Sequence, residues 1–282
     1  MRKGLVLEGG GMRGLFSAGV MDVMMEQDIR FDGIVGVSAG ASFGCNYKSH
    51  QIGRVLRYNV RFKDDPRYMG LRSLLRTGDL VAAEFSYHTL PKELDVFDFE
   101  AYNQDPTEFH VVCTDVLTGE PVYHRLDKMN DDGLEWIRAS ASMPLVSKPV
   151  PIEGQLLLDG GISDSIPLRY FQGQGFERNI VILTQPKGFY KKKTKLMPLF
   201  HLFMRRYPAI IKAMTRRHLM YNEELSYLEE QEKKGNILLI YPQDIVPIGR
   251  TEQDEQKMRH VYAMGREKAE KMIDEIHHFL AC

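Results

Sequence analysis

The sequence is poor in cysteine, has a single tryptophan and nowhere runs for 18 consecutive apolar residues. Each absence excludes a class. Cys45, Cys113 and Cys282 are an odd number without Cys-x-x-Cys spacing, so neither a disulfide framework nor a zinc cluster is expected. A reducing compartment, the cytoplasm, fits that usage. The missing apolar run leaves no candidate for a membrane-spanning helix. After the basic start Met1-Arg2-Lys3, only Leu5, Val6 and Leu7 precede Glu8, which is too short for the apolar region of a signal peptide. Internal repeats and low-complexity tracts are also missing.

The most uneven absence is that of acid. From Arg178 to Asn222 there is no Asp or Glu, while the same stretch holds 11 Lys and Arg, so a net charge of -1 joins a +11 block to a -12 remainder. Such polarity points to an anionic partner for one region, whereas the near-neutral total argues against a nucleic-acid binder.

What is present is a globular composition, 43% hydrophobic over 282 residues, read as one domain with insertions. A short apolar strand at Gly4 to Leu7 runs into a glycine-rich loop and an apolar-periodic helix from Leu15 to Gln27. A second apolar run, Ile34 to Val37, ends at Ser38 and changes to small residues. The order strand, helix, strand, helix predicts an α/β fold with mostly parallel pairing and helices on both faces, ligands gathering at the carboxyl ends of the strands. Further strands are expected at about 109–114, 121–125, 155–158, 179–184 and 236–241, the first two joined by a hairpin turn at Thr118-Gly119. Further helices are expected at about 53–62, 71–76, 134–142, 219–234 and 252–279.

Three motifs carry chemistry. Gly36-Val37-Ser38-Ala39-Gly40 fits Gly-x-Ser-x-Gly, in which a serine on a sharp strand-to-helix turn projects its hydroxyl at a helix N-terminus. Gly9-Gly10-Gly11-Met12-Arg13-Gly14 also spells a dinucleotide-binding fingerprint, but that site wants an acid at the end of the second strand, where Ser38 stands. The alternative use of three successive glycines is to aim bare amides at a developing oxyanion, with Arg13 adding positive charge. Leu156-Leu157-Leu158-Asp159-Gly160-Gly161 ends a third apolar strand in a carboxylate at the same sheet edge; Asp-Gly is also common turn chemistry. None of the nine histidines stands at an evident strand end, so Asp159 is the better candidate base, provided burial raises its pKa.

Together these residues resemble the patatin-like phospholipases, lipid acyl hydrolases with three ordered motifs. The family's oxyanion motif falls on Gly9 to Gly14, its nucleophile elbow on Gly36 to Gly40 and its Asp-Gly-Gly motif on Asp159 to Gly161. Ile137 to Pro144, followed by Pro149, resembles the helix and turn before the family's aspartate strand. The resemblance covers roughly Lys3 to Gln185. It implies a three-layer α/β/α fold with the nucleophile elbow after the second strand, Ser38 as nucleophile and Asp159 as its base without histidine, and no metal or organic cofactor. The implied substrate is a lipid ester, in a phospholipase A or lysophospholipase reaction. A general carboxylesterase of α/β-hydrolase type and a catalytically idle lipid-binding module are the alternatives.

The expected organisation is a catalytic core over residues 1–185, a basic apolar cap or membrane-facing insertion over 186–235, and a last strand and helix of the same domain over 236–282. In the middle segment Lys191, Lys192, Lys193, Lys195, Arg205 and Arg206 alternate in blocks with apolar residues. That pattern suits peripheral contact with an anionic membrane, at its inner face for a cytoplasmic protein.

Overall fold

A computed structural model describes residues 1–281. Strand β1 (Arg2–Leu7) leads through a 3-10 turn (Gly11–Gly14) into α1 (Leu15–Glu26), and β2 (Gly33–Val37) leads through Ser38 into α2 (Ala39–Lys48). Next come α3 (Arg54–Arg61), α4 (Leu71–Thr77), a π-helical segment (Phe85–Leu94) and α5 (Phe99–Gln104). Strands β3 (Glu108–Asp115) and β4 (Pro121–Arg125) form a hairpin, followed by α6 (Asp131–Ala141), β5 (Val150–Ile152) and β6 (Gln155–Asp159). The chain ends with α7 (Leu168–Gly173), β7 (Phe176–Ile182), α8 (Met197–Phe203), α9 (Pro208–Lys233), β8 (Ile237–Ile240) and α10 (Glu255–Ala281).

The strands form one mixed sheet in the order β5-β6-β3-β2-β1-β7-β8, with β4 also on β3. β8, β7, β1, β2 and β3 are parallel neighbours, while β4, β5 and β6 enter antiparallel. Central strands with both faces covered need continuous apolar runs, and every residue of β2 and the last four of β1 are buried. On one face α1 lies between sheet and solvent-side helix, which explains why nearly all its residues are buried instead of one stripe. Its outer neighbour is α10: a methyl on Gly265 would lie 2.0 Å from the carbonyl of Phe16, and one on Gly19 2.1 Å from that of Tyr262.

The expected helices are present with shifted ends, and one differs substantially. The helix expected from 219 begins at Pro208, where proline occupies the first turn without losing a hydrogen bond. The π-helical segment, α5, α7, α8 and β5 were not expected. The antiparallel entry of β6 corrects the reason for placing Asp159. It reaches the carboxyl edge because β6 pairs only with the last residues of β3, setting Asp159 opposite Cys113. Cys45 and Cys113 are buried free thiols; Cys282, which ends the third expected segment, lies outside the described residues.

Candidate active site

β1 and β2 are direct neighbours, with Leu7 opposite Gly36, so the glycine loop and the elbow leave the same sheet edge side by side. Ser38 holds φ 56° and ψ -120°, a conformation that costs a non-glycine residue on the order of 1–3 kcal/mol and survives only where the surroundings impose it. They do so by proximity: a methyl on Gly36 would lie 2.6 Å from the amide of Ala41 in the first turn of α2. The Ser38 amide is held by the Ser140 hydroxyl at 2.9 Å, and that hydroxyl donates to the carbonyl of Val112 at 2.7 Å. A helix residue thus ties the elbow to β3.

The Ser38 hydroxyl donates to Asp159 Oδ2 at 2.6 Å. The other carboxylate oxygen accepts from the amide of Gly161 at 2.7 Å, and the Thr114 hydroxyl holds the Asp159 carbonyl at 2.8 Å. Burial raises the Asp159 pKa above the ordinary carboxylate value, against the opposing pull of the Ser38 hydroxyl, Arg217 and the Gly161 amide. A carboxylate so placed is a stronger base than one in water, and its hydrogen-bond partner is a hydroxyl.

Gly9 runs so close to the elbow that a methyl there would lie 2.9 Å from Ser38 Cβ and 2.9 Å from the carbonyl of Val37. Within the glycine-rich motif the Met12 amide is already taken, donating to the carbonyl of Arg250 at 2.9 Å. Gly10 and Gly11 border the same cavity as Ser38; Gly11 has a φ of +57°, which glycine adopts without strain. Arg13 turns back to the carbonyl of Gly10 at 3.4 Å and so shapes the loop. Beneath it, the buried Glu8 carboxylate accepts from the Thr184 amide at 2.6 Å and from the Tyr221 hydroxyl at 2.6 Å, binding the loop to the strand edge of β7 and to α9.

Two cavities meet at Ser38. The narrow one, about 150 Å³, runs into the core among Tyr58, Tyr68, Leu90, Phe97, Leu134 and Ile137. The wide one, about 960 Å³, is bordered by Asp159, the glycine loop and segments after β7, including Leu199, Phe200, Arg217 and Arg250. Lys191, expected at a membrane surface, is corrected: it lines the wide cavity with its ammonium 3.6 Å from the centre of the Tyr221 ring. Lys192, Lys193, Lys195, Arg205 and Arg206 are exposed as expected. Near them α8 buries Phe200 but exposes Leu199, Leu202 and Phe203, the last two by 62% and 68%.

Ser140, Glu8, Tyr221, Arg217 and Arg250 were missed as site residues. Ser140 lies within the stretch that resembles the family's helix and turn, a signal that could have found it. The others are brought in by long-range packing, and the excess of base between Arg178 and Asn222 hinted only at Arg217 and Lys191.

The family described as patatin-like phospholipase matches residues 5–171, and a domain of unknown function, DUF6363, matches 207–281. An uncharacterized protein of Escherichia coli K12, YjjU, is 30% identical over 255 residues, 86% of this chain and 68% of that one. An uncharacterized NTE family protein of Mycobacterium bovis is 30% identical over 64% of this chain and 48% of its own, and the lysophospholipase nte1 of Aspergillus oryzae is 29% identical over 61% and 11%. The chain therefore spans about half of the mycobacterial relative and a small part of the fungal one. VipD from Legionella pneumophila aligns with a TM-score of 0.49 at 14% identity over 97% of this chain and 67% of that one. With the three motifs at one sheet edge and the family match covering more than half of its length, the chain belongs to the patatin-like phospholipase family and with it to the hydrolases of lipid esters.

Proposed function

We propose that the protein hydrolyses single-chain phospholipids through a Ser38-Asp159 dyad. Asp159 Oδ2 takes the hydroxyl proton as Ser38 Oγ attacks the ester carbonyl, and the amides of Gly10 and Gly11 hold the oxyanion. Collapse expels the alcohol, which leaves with the proton from Asp159, and the acyl group stays on Ser38. Water then attacks the acyl-enzyme with Asp159 again as base, releasing the fatty acid and restoring the serine hydroxyl. The observation that carries this reading is the 2.6 Å hydrogen bond between the two side chains at a strained elbow.

One narrow apolar cavity beside Ser38 suits one acyl chain, which favours the lysophospholipase over the phospholipase A reading; the Aspergillus relative, a lysophospholipase, points the same way. Residues 1–185 are the catalytic core and 186–235 its cap, since Phe200 and Arg217 line the wide cavity; 236–282 complete the same domain. The cap also meets the membrane, on this reading. Leu199, Leu202 and Phe203 enter the interface while Lys192, Lys193, Lys195, Arg205 and Arg206 add about 1 kcal/mol each against anionic lipid. Free buried thiols fit a reducing compartment, so the membrane face would be the cytoplasmic one.

A fluorophosphonate probe tests the dyad. Wild type should label, Ser38→Ala should not, and Asp159→Asn should label at least a hundredfold more slowly. Equal labelling of wild type and Ser38→Ala refutes the mechanism.

A further inference from the structure

Of the five Lys and Arg residues that border the wide cavity, Lys192 is exposed and four converge from separate segments: Arg13 from the glycine loop, Lys191 from the segment after β7, Arg217 from α9 and Arg250 from the loop before α10. Among the described residues none of the four is hydrogen-bonded to a carboxylate. Arg13 and Arg217 donate to the carbonyls of Gly10 and Gly161, and Lys191 lies over the Tyr221 ring. The two carboxylates on the cavity wall are already committed, Glu8 to Thr184 and Tyr221, and Asp159 to Ser38 and Gly161.

The four feel one another. Burial and then Arg250 lower the pKa of Arg13 and of Arg217, and burial followed by Arg217 brings that of Lys191 down to about 7. Crowded, partly desolvated charges of one sign are unfavourable until an anion joins them. His218, next along α9, lines the same cavity, and its buried Nδ1 has no hydrogen-bond partner among the described residues.

We propose that Arg13, Lys191, Arg217 and Arg250 bind the phosphate of a lipid headgroup while its acyl chain lies in the narrow cavity, so that the enzyme prefers phosphomonoester lysolipids to neutral or zwitterionic ones. Ser38 stands where the two cavities meet, which places the scissile ester between chain and phosphate. This assignment rests on the reading of Ser38 as nucleophile, but the anion site is testable without turnover. A glycerol phosphate headgroup carries close to two negative charges near neutrality, and guanidinium groups bind phosphate oxygens in pairs.

Isothermal titration of Ser38→Ala protein with octanoyl lysophosphatidic acid, octanoyl lysophosphatidylcholine and octanoylglycerol reads the site directly. Lysophosphatidic acid should bind at least tenfold more tightly than either of the others, and equal affinities overturn the proposal. Inorganic phosphate is the separating probe: binding as tight as that of the lysolipid assigns the cluster to free phosphate and also overturns it. Lys191→Met and Arg250→Gln, each made in the Ser38→Ala background, should reduce the preference severalfold, and an undiminished preference in both removes these residues from the site. In the wild type, hydrolysis of lysophosphatidic acid and octanoylglycerol at equal kcat/KM counts against the phosphate site alone. Hydrolysis of neither, with no labelling of Ser38, would instead overturn the dyad.

Discussion

Replacing Gly9 by alanine is a sharp probe of the way this elbow is built. The added methyl would lie 2.9 Å from the Val37 carbonyl oxygen and 2.9 Å from Ser38 Cβ, the latter about 0.6 Å inside the closest comfortable carbon contact of about 3.5 Å. Neither neighbour is the free end of a flexible side chain. Ser38 is held by its amide to Ser140 and Val37 by the ladder to β3, so loop and nucleophile must share the displacement. A misplacement approaching 1 Å between reacting groups costs on the order of 10²-fold, and overpacking costs about 1–3 kcal/mol of stability. The expected result is a kcat reduced about 10- to 100-fold on a short-chain p-nitrophenyl ester, with a folded protein that melts a few degrees lower. Gly173→Ala is the control, because nothing lies within 4 Å of a methyl there, and both rate and melting should be kept. If Gly9→Ala kept kcat within twofold and melted with the wild type, the close packing of loop against elbow would have no bearing on catalysis.

Further outcomes follow from the same contacts. Asp159→Asn should lower kcat by about 10²–10⁴ and abolish the acid limb of the pH–rate profile; in wild type that limb should lie above the ordinary aspartate range, because the base must be ionised and burial raises its pKa. The same shift has a stability sign: a carboxyl whose pKa is raised on folding costs stability at neutral pH, and the cost fades as pH falls through the folded value. Calorimetry at pH 7 should therefore find Asp159→Asn melting no lower than wild type, and a large drop would contradict the burial argument. Tyr221→Phe removes a donor from buried Glu8 and should cost about 1–3 kcal/mol in denaturant unfolding, with an unchanged midpoint counting against the tie between α9 and the loop. Leu202→Ser with Phe203→Ser should weaken co-sedimentation with phosphatidylserine vesicles at least tenfold; undiminished binding would place the membrane contact elsewhere.

Much of the centre was readable from the chain because its signals are local. A strand ending in Gly-x-Ser-x-Gly, a triple glycine after β1 and an apolar run ending in Asp-Gly-Gly each state their own turn, and the adjacency of β1 and β2 follows from one crossover. What escaped depends on distant partners. Nothing near Met12 tells that its amide is taken by Arg250, and nothing near Gln155 tells that β6 runs antiparallel. The walls of the narrow cavity come from residues such as Tyr58, Leu90 and Phe97, in a stretch whose π-helical turn has no simple period. Lys191 misled because a run of lysines looks solvated, while its first member is turned inward over Tyr221.

The position of β1 has a consequence for how the chain reaches this state. It lies inside the sheet, between β2, which follows almost at once, and β7, which is made roughly 145 residues after β2, on the order of 10 s later at ribosomal speed. Until then one edge of β1 is bare, Glu8 lacks Thr184, and Gly19 has no α10 to cross. A nascent chain therefore carries its nucleophile motif complete in sequence long before the fold can hold it. The waiting strand edge, apolar and unpaired, is where a chaperone would be needed and where stalled synthesis would lead to aggregation.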